Sequence, residues 1–210
     1  DRALRALSRR ENVTLFMTLL AGFQALLHRY SGQDVVCVGT PIANRTRPEI
    51  ENLIGFFVNT LVMRADLSGD PSFRQVLKQV REAALGAYAH QDLPFERLVD
   101  ELNPQRDLSY SPLFQVMFDL QPSPLPALDL PGVQPAVLDV ERGTSKFDLA
   151  LVMEDDPRAL GCTFEYSTDL FERSTIERMA GHWQTLLDGL CASPDQPIGT
   201  LPILSEAERR

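Results

Sequence analysis

At 210 residues, with 44% hydrophobic and 23% charged side chains, the sequence has the make-up of a globular chain of one large or two small domains. Its net charge of −9 excludes the basic footprint that nucleic acid or an anionic membrane requires of a partner. Cys37, Cys162 and Cys191 are widely spaced and lack a CxxC pair, so neither a disulfide framework nor a zinc ligand set is signalled, and a reducing, cytoplasmic home is the default. No apolar run reaches bilayer-spanning length, the amino end has no signal-peptide core, and with no initiator Met the expectation is a piece cut from something longer.

In chain order, a short helix is predicted from about Ala3 to Arg10 and a stronger one from Val13 to Tyr30. The second carries Leu15, Leu19, Phe23, Leu27 and Tyr30 at helical spacing, with Asn12 as its cap and Gly32 as its stop. Val35 to Thr40 reads as an interior strand, and Pro41 to Gly55 as a long loop carrying Asn44, Arg45, Arg47 and Pro48. The central stretch, Ile50 to Arg64, passes from a polar turn through Gly55 into a β-branched and aromatic run that reads as a buried strand with Asn59 in its middle. Alternation puts Phe57, Asn59, Leu61 and Met63 on one face and Phe56, Val58, Thr60, Val62 and Arg64 on the other.

Ser72 is placed to cap a helix running to about His90, buried through Phe73, Val76, Leu77, Val80, Ala84 and Leu85. Pro94 opens a short helix, and a strand is predicted from Leu113 to Leu120. Pro122, Pro124, Pro126, Pro131 and Pro135 crowd one excursion that can be neither interior strand nor helix. Ala136 to Val140, Phe147 to Glu154 and Leu160 to Tyr166 read as strands. Asp169 and Glu172 have capping-box spacing before a last helix striped by Ile176, Met179, Ala180, Trp183, Leu186, Leu187 and Leu190. The fold class is α/β, a mixed sheet of about five or six strands flanked by helices at 13–30, 72–90 and 172–191.

Several separated stretches carry a resemblance. Gly39-Thr40-Pro41-Ile42-Ala43-Asn44-Arg45, Ile54-Gly55-Phe56-Phe57-Val58-Asn59-Thr60, His90-Gln91-Asp92-Leu93-Pro94-Phe95-Glu96, Ser111-Pro112-Leu113-Phe114-Gln115-Val116-Met117-Phe118 and Ser145-Lys146-Phe147-Asp148-Leu149 resemble, in order, the condensation domains of nonribosomal peptide synthetases. That family resembles chloramphenicol acetyltransferase in fold, two α/β lobes forming a V with the reaction centre between them. Residues 1–196 resemble the carboxyl lobe alone, and 197–210 resemble the start of a linker into an adenylation domain. The Phe56-Phe57-Val58-Asn59-Thr60 run looks more like the condensing branch than the epimerising or heterocyclising ones.

The resemblance implies amide-bond formation between a donor acyl or peptidyl thioester and the amine of an acceptor thioester. Both would be carried on the phosphopantetheine arms of carrier proteins, with no directly bound cofactor or metal. The implied partners are an amino-terminal lobe, the donor and acceptor carriers and an adjacent adenylation domain. The family's HHxxxDG motif is absent here: His28, His90 and His182 are isolated, so no catalytic residue is assigned and the chain alone is expected to be inactive.

Asn59, Arg64 and Phe57 are the cleft-lining candidates: Asn59 as a hydrogen-bonding group near the reacting centre or an amide tied to backbone, Arg64 as partner to a carboxylate of the other lobe or a snorkelling strand end. Asp92 and Glu96 read as acids of a helix's first turn, and a His90/Asp92 pair lacks a nearby nucleophile signature. The Pro122 to Pro135 excursion is a candidate for reaching the other lobe. Two other classes are weighed. One is a noncatalytic module docking carrier or adenylation domains. The other is a self-sufficient acyltransferase, against which Cys37 and Cys162 sit in apolar strand patterns where cysteine acts as a small hydrophobe.

Overall fold

The computed structural model describes residues 1–103, 111–122, 143–156, 158–205 and 208–209. Helix α1 (Arg2–Arg10) leads into α2 (Leu15–Ser31), which is stopped by Gly32 in the left-handed region at φ 68°. The cap of α2 is Thr14, whose hydroxyl accepts from the Met17 N–H at 3.2 Å, and not Asn12. Asn12 instead turns the chain at φ 53°, a conformation asparagine tolerates better than most residues. Every residue from Met17 to Leu26 is buried, so α2 runs through the core and not along its surface.

Strand β1 (Val35–Ile42) pairs antiparallel with β2 (Asn59–Asp66), and between them lies the four-residue helix α3 (Pro48–Glu51). Here the sequence reading needs its main correction. The strand begins only at Asn59, and the apolar residues before it are outside the core: Phe56 is 93% exposed, Ile54 fully so, and Leu53 and Val58 about half. Apolar content outweighs Gly55 and the preceding turn in the sequence, but among the described residues neither a ladder partner nor a covering helix shelters this segment. From Asn59 onward the alternation is as read, with Leu61, Met63 and Ala65 buried and Arg64 exposed on the opposite face.

Helix α4 (Phe73–Ala89) starts with a capping box in which Ser72 and Gln75 exchange side-chain and backbone hydrogen bonds. Helix α5 (Phe95–Leu102) follows Pro94, and β3 (Val116–Pro122), β4 (Leu149–Asp155) and β5 (Leu160–Tyr166) complete the sheet. The last helix, α6 (Arg173–Ala192), begins after Glu172, whose side chain makes no capping bond, so the Asp169/Glu172 box does not form. Residues 123–135 of the Pro-rich excursion and the strand expected over 136–140 lie outside the described residues.

The sheet order is β2-β1-β3-β4-β5. β3 and β4 run parallel over seven residue pairs, β4 and β5 antiparallel, and β1 meets β3 in parallel at the single pair Gly39↔Met117. One face is covered by α2, α4 and α6. Phe23, Leu26, Val38, Met63, Phe73, Phe118, Leu151, Trp183 and Leu186 interlock there, and Phe23 meets Trp183 edge-on at 6.1 Å. The other face carries Cys37, Pro41, Thr60, Val62 and Met117, all half-buried.

Candidate functional site

The end of β2 is where the sequence motifs converge. Asn59 opens the strand, opposite Ile42, and its amide is saturated. Nδ2 donates to the backbone oxygens of Gln91 and Leu93, both at 2.8 Å, and Oδ1 accepts from the N–H of Thr60 at 2.9 Å and of Phe95 at 3.1 Å. Two donors and two accepted bonds are what an amide offers along these directions. Asn59 thus brackets the turn between α4 and α5 to the sheet, and it binds the Phe95 N–H at the start of α5.

The bracket continues into an aromatic column. Phe95 packs on Phe114 at 5.5 Å between centroids, and Phe114 on Phe147 at 5.7 Å. Phe114 is only 2% exposed, since it lies flat on β1 where Gly39 has no side chain: a Cβ there would come within 3.0 Å of three of its ring atoms. Gly39 points away from the helix-covered face, its neighbours Val38 and Thr40 being buried against the helices, so the column covers the sheet's other face. Leu113, just before it, is held at φ 70°, which is uncommon for any residue but glycine, asparagine or aspartate.

The segment preceding Asn59 is ordered from within. Arg45 lies over the Phe57 ring at 4.4 Å and donates through Nη1 to the Ile50 oxygen, folding the loop back on itself. Its apolar side chains Leu53, Ile54, Phe56 and Val58 are thereby presented outward and not collapsed.

Of the residues predicted from sequence, Asn59 and Phe57 belong to this corner. Arg64 does not. It sits further along β2 on the other face, across from Cys37, and pairs with Asp66 at 3.5 Å with both groups largely exposed. Ser68 and then Arg64 hold the Asp66 carboxyl below its ordinary range. Burial raises the Cys37 thiol above its usual value, which removes it as a ready nucleophile. Cys162 lies on the edge strand and its residue is exposed, yet burial of the thiol raises it to about 11, so it too is no ready nucleophile. His90 caps α4 through backbone bonds. Among the described residues no group of three His, Cys, Asp or Glu is placed to hold a metal ion, and no helix is long and apolar enough to cross a membrane.

Sequence reasoning missed Gly39 with Phe114, Arg45 with Phe57, and a chain of hydrogen bonds centred on the buried His182. There the Tyr30 hydroxyl meets His182 Nδ1 at 2.6 Å and His182 Nε2 meets Glu208 at 2.9 Å. The available signals were a glycine inside an otherwise continuous apolar strand, and a histidine on the apolar stripe of the last helix.

A family model described as the condensation domain matches residues 1–210. A linear gramicidin synthase of Brevibacillus parabrevis is 60% identical over 209 residues, covering 99% of this chain and 4% of that protein. Malpinin synthetase of Mortierella alpina is 48% identical over 208 residues, covering 99% of this chain and 3% of that protein. The chain thus spans only a few per cent of the length of these curated relatives. It superposes on a holo four-domain nonribosomal peptide synthetase bound to AMP and glycine with a TM-score of 0.88 and 29% identity, over 99% of this chain and 17% of that one. The X-domain from teicoplanin biosynthesis matches with a TM-score of 0.84 and 26% identity, over 96% of this chain and 47% of that one. The mixed sheet with flanking helices is the chloramphenicol acetyltransferase-like architecture of these neighbours. End-to-end agreement in sequence and fold places this chain in the condensation-domain family of nonribosomal peptide synthetases.

Proposed function

We propose that the chain is the carboxyl-terminal half of a peptide-bond-forming condensation domain working in the cytoplasm. It supplies one wall of the cleft in which the amine of an acceptor aminoacyl thioester attacks a donor acyl or peptidyl thioester. Phosphopantetheine arms of two carrier proteins present both substrates, and an adenylation domain follows. The observation that carries this reading is length: the chain is matched over 96% of itself by a solved family domain of which it covers only 47%. The outward Leu53, Ile54, Phe56 and Val58 support it, being an apolar group of the sort that marks an interaction face.

In this reading the half contributes positioning and not proton transfer. The family's HHxxxDG motif is absent from the sequence, and a strand amide does not titrate. Holding two thioesters in attack geometry accounts for a large share of such a rate. Asn59, with Phe57, lines the cleft wall and acts through the turn it brackets, because its amide is fully engaged within the chain. Arg64, 58% exposed and only loosely paired, is the cation offered to a carboxylate of the amino-terminal lobe.

The test is a condensation assay with two loaded carrier proteins, comparing the chain alone with the chain plus a separately produced amino-terminal lobe. Dipeptide is expected only in the mixture. Turnover by the chain alone, or none in a mixture that forms a complex, overturns the proposal.

A further inference from the structure

The described residues after 196 are held to the rest of the chain in two different ways. Over 197–201 the anchorage is apolar and backbone-based. Ile198 and Leu201 are buried, and the Ile198 N–H donates to the Pro71 oxygen at 3.0 Å. The Gly199 N–H donates to Asp70 Oδ1 at 2.6 Å, and Arg29 Nη1 donates to the oxygens of Ile198 at 2.8 Å and Leu201 at 2.9 Å.

Beyond Leu201 the character changes. Ile203 still packs half-buried against the core, but Leu204 is 43% exposed, and the polar hold that follows is made by one carboxylate. Glu208 Oε1 accepts from His182 Nε2 at 2.9 Å, while Oε2 accepts from the Ser205 N–H at 2.9 Å and the Ser205 hydroxyl at 2.7 Å. The Glu208 N–H returns to Ser205 Oγ at 3.4 Å, closing the reciprocal pattern of a capping box.

His182 is the unusual member. It sits among Met179, Trp183 and Leu186 on the buried stripe of α6, itself 8% exposed, a position an apolar residue would fill without needing partners. Both ring nitrogens are engaged, Nδ1 by Tyr30 of α2 and Nε2 by Glu208. One neutral tautomer serves both, accepting the Tyr30 proton at Nδ1 and donating from Nε2. Arg178, the other charged group acting on this site, influences Tyr30. If Ser205 and Glu208 left, Nε2 would lose its acceptor within the chain and open to solvent.

We propose that Tyr30 and His182 form a socket whose occupants are Ser205 and Glu208 of this same chain, a polar clasp that fixes where the segment beyond Leu201 lies against α6. Since it is polar and lies outside the staple of Ile198, Leu201 and Ile203, the clasp opens without unfolding what lies beneath. The proposal does not depend on which half of a cleft the chain supplies.

Backbone hydrogen exchange of the 210-residue chain, followed by NMR, tests it with Glu208→Ala, His182→Phe and the double variant. Glu208→Ala removes a side chain at the surface, so it keeps the test informative if His182→Phe fails to fold. The Ser205 and Glu208 amides are expected to exchange at least tenfold faster in each single variant. The amides of Ile198 and Gly199 are expected to stay unchanged, and the double variant to be no worse than either single one. Unchanged exchange at Ser205, acceleration that spreads to Ile198 and Gly199, or additive effects would overturn the clasp.

Discussion

Replacing Gly39 by alanine tests the aromatic column and its seat on the sheet. Gly39 is paired with Val62 on one side and Met117 on the other, in a strand where alanine is normally favoured over glycine by about 0.5–1 kcal/mol. The added methyl would lie within 3.0 Å of three Phe114 ring atoms, one of them Cδ2 at 2.8 Å, so the ring must move by roughly 1 Å to restore contact distance. Phe114 is 2% exposed and lodged between Phe95 and Phe147, which leaves it nowhere to go without breaking both ring contacts. Each is worth about 0.5–1.5 kcal/mol, and part of the ring's burial goes with them. The net expectation, after subtracting the strand preference, is a destabilisation of about 2–3 kcal/mol, or a fall of about 5–10 °C in melting temperature for a domain of this size. Urea unfolding followed by the fluorescence of Trp183 measures it. Phe114→Leu in the Gly39→Ala background should recover at least about 1 kcal/mol of the loss, because the smaller side chain vacates the space the methyl needs. Stability within about 0.5 kcal/mol of the parent, or strict additivity of the two changes, would refute the account of why this strand position is glycine.

Asn59→Ala strands two backbone carbonyls and two N–H groups at once, and a loss of about 2 kcal/mol is expected, with faster amide exchange at Phe95 as its local mark. A change confined to β2 would contradict the bracket. Arg45→Ala removes both the contact over Phe57 and the bond to Ile50, so residues 44–58 should become sensitive to protease while the melting temperature of the core stays within about 2 °C. Phe56→Ser should leave the stability of the chain alone unchanged, and should weaken complex formation with a separately produced amino-terminal lobe about tenfold; equal binding would remove Phe56 from the interface. Glu208 is held down to about 2 by Ser205 and then by His182. Because the folded state binds this proton less readily than an ordinary glutamate does, its contribution is complete above the normal carboxylate range and fades as pH falls toward 2. Protection of the Ser205 amide is therefore expected to survive at pH 4, and its loss by pH 5 would contradict the assignment.

Most of the framework was legible because it obeys one period at a time. The helix over 15–31, the cap at Ser72 and the strands at 35–42, 149–155 and 160–166 each rest on local spacing, and long-range contacts only reinforced them. The failure at 50–58 has a definite cause. Hydrophobic content reports that residues avoid water somewhere, and not that this chain provides the shelter. Phe56 and Ile54 look the same in sequence whether covered by their own helices or by another body. The Asp169/Glu172 spacing failed for a different reason: a cap is a short side chain with an oxygen acceptor, and the helix opens not at Asp169 but three residues on at Glu172, whose longer side chain makes no capping bond. At the candidate site the position of Asn59 was readable and its job was not. Its four partners lie one residue and 32 to 36 residues away in the chain, and no periodicity encodes such a turn.

The single-pair join between β1 and β3 gives the sheet a seam. On one side of it stands the β2-β1 ladder, on the other the β3-β4-β5 ladder, and each is complete in its own hydrogen bonds. Ladder bonds fix angles only where they repeat, so one shared pair leaves the dihedral between the two panels to the side chains wedged across it. Phe114, seated on Gly39 at that pair and braced by Phe95 and Phe147, acts as the shim of this joint. Its thickness determines how far the two panels are folded toward each other, and a thinner side chain there would let them close like a book.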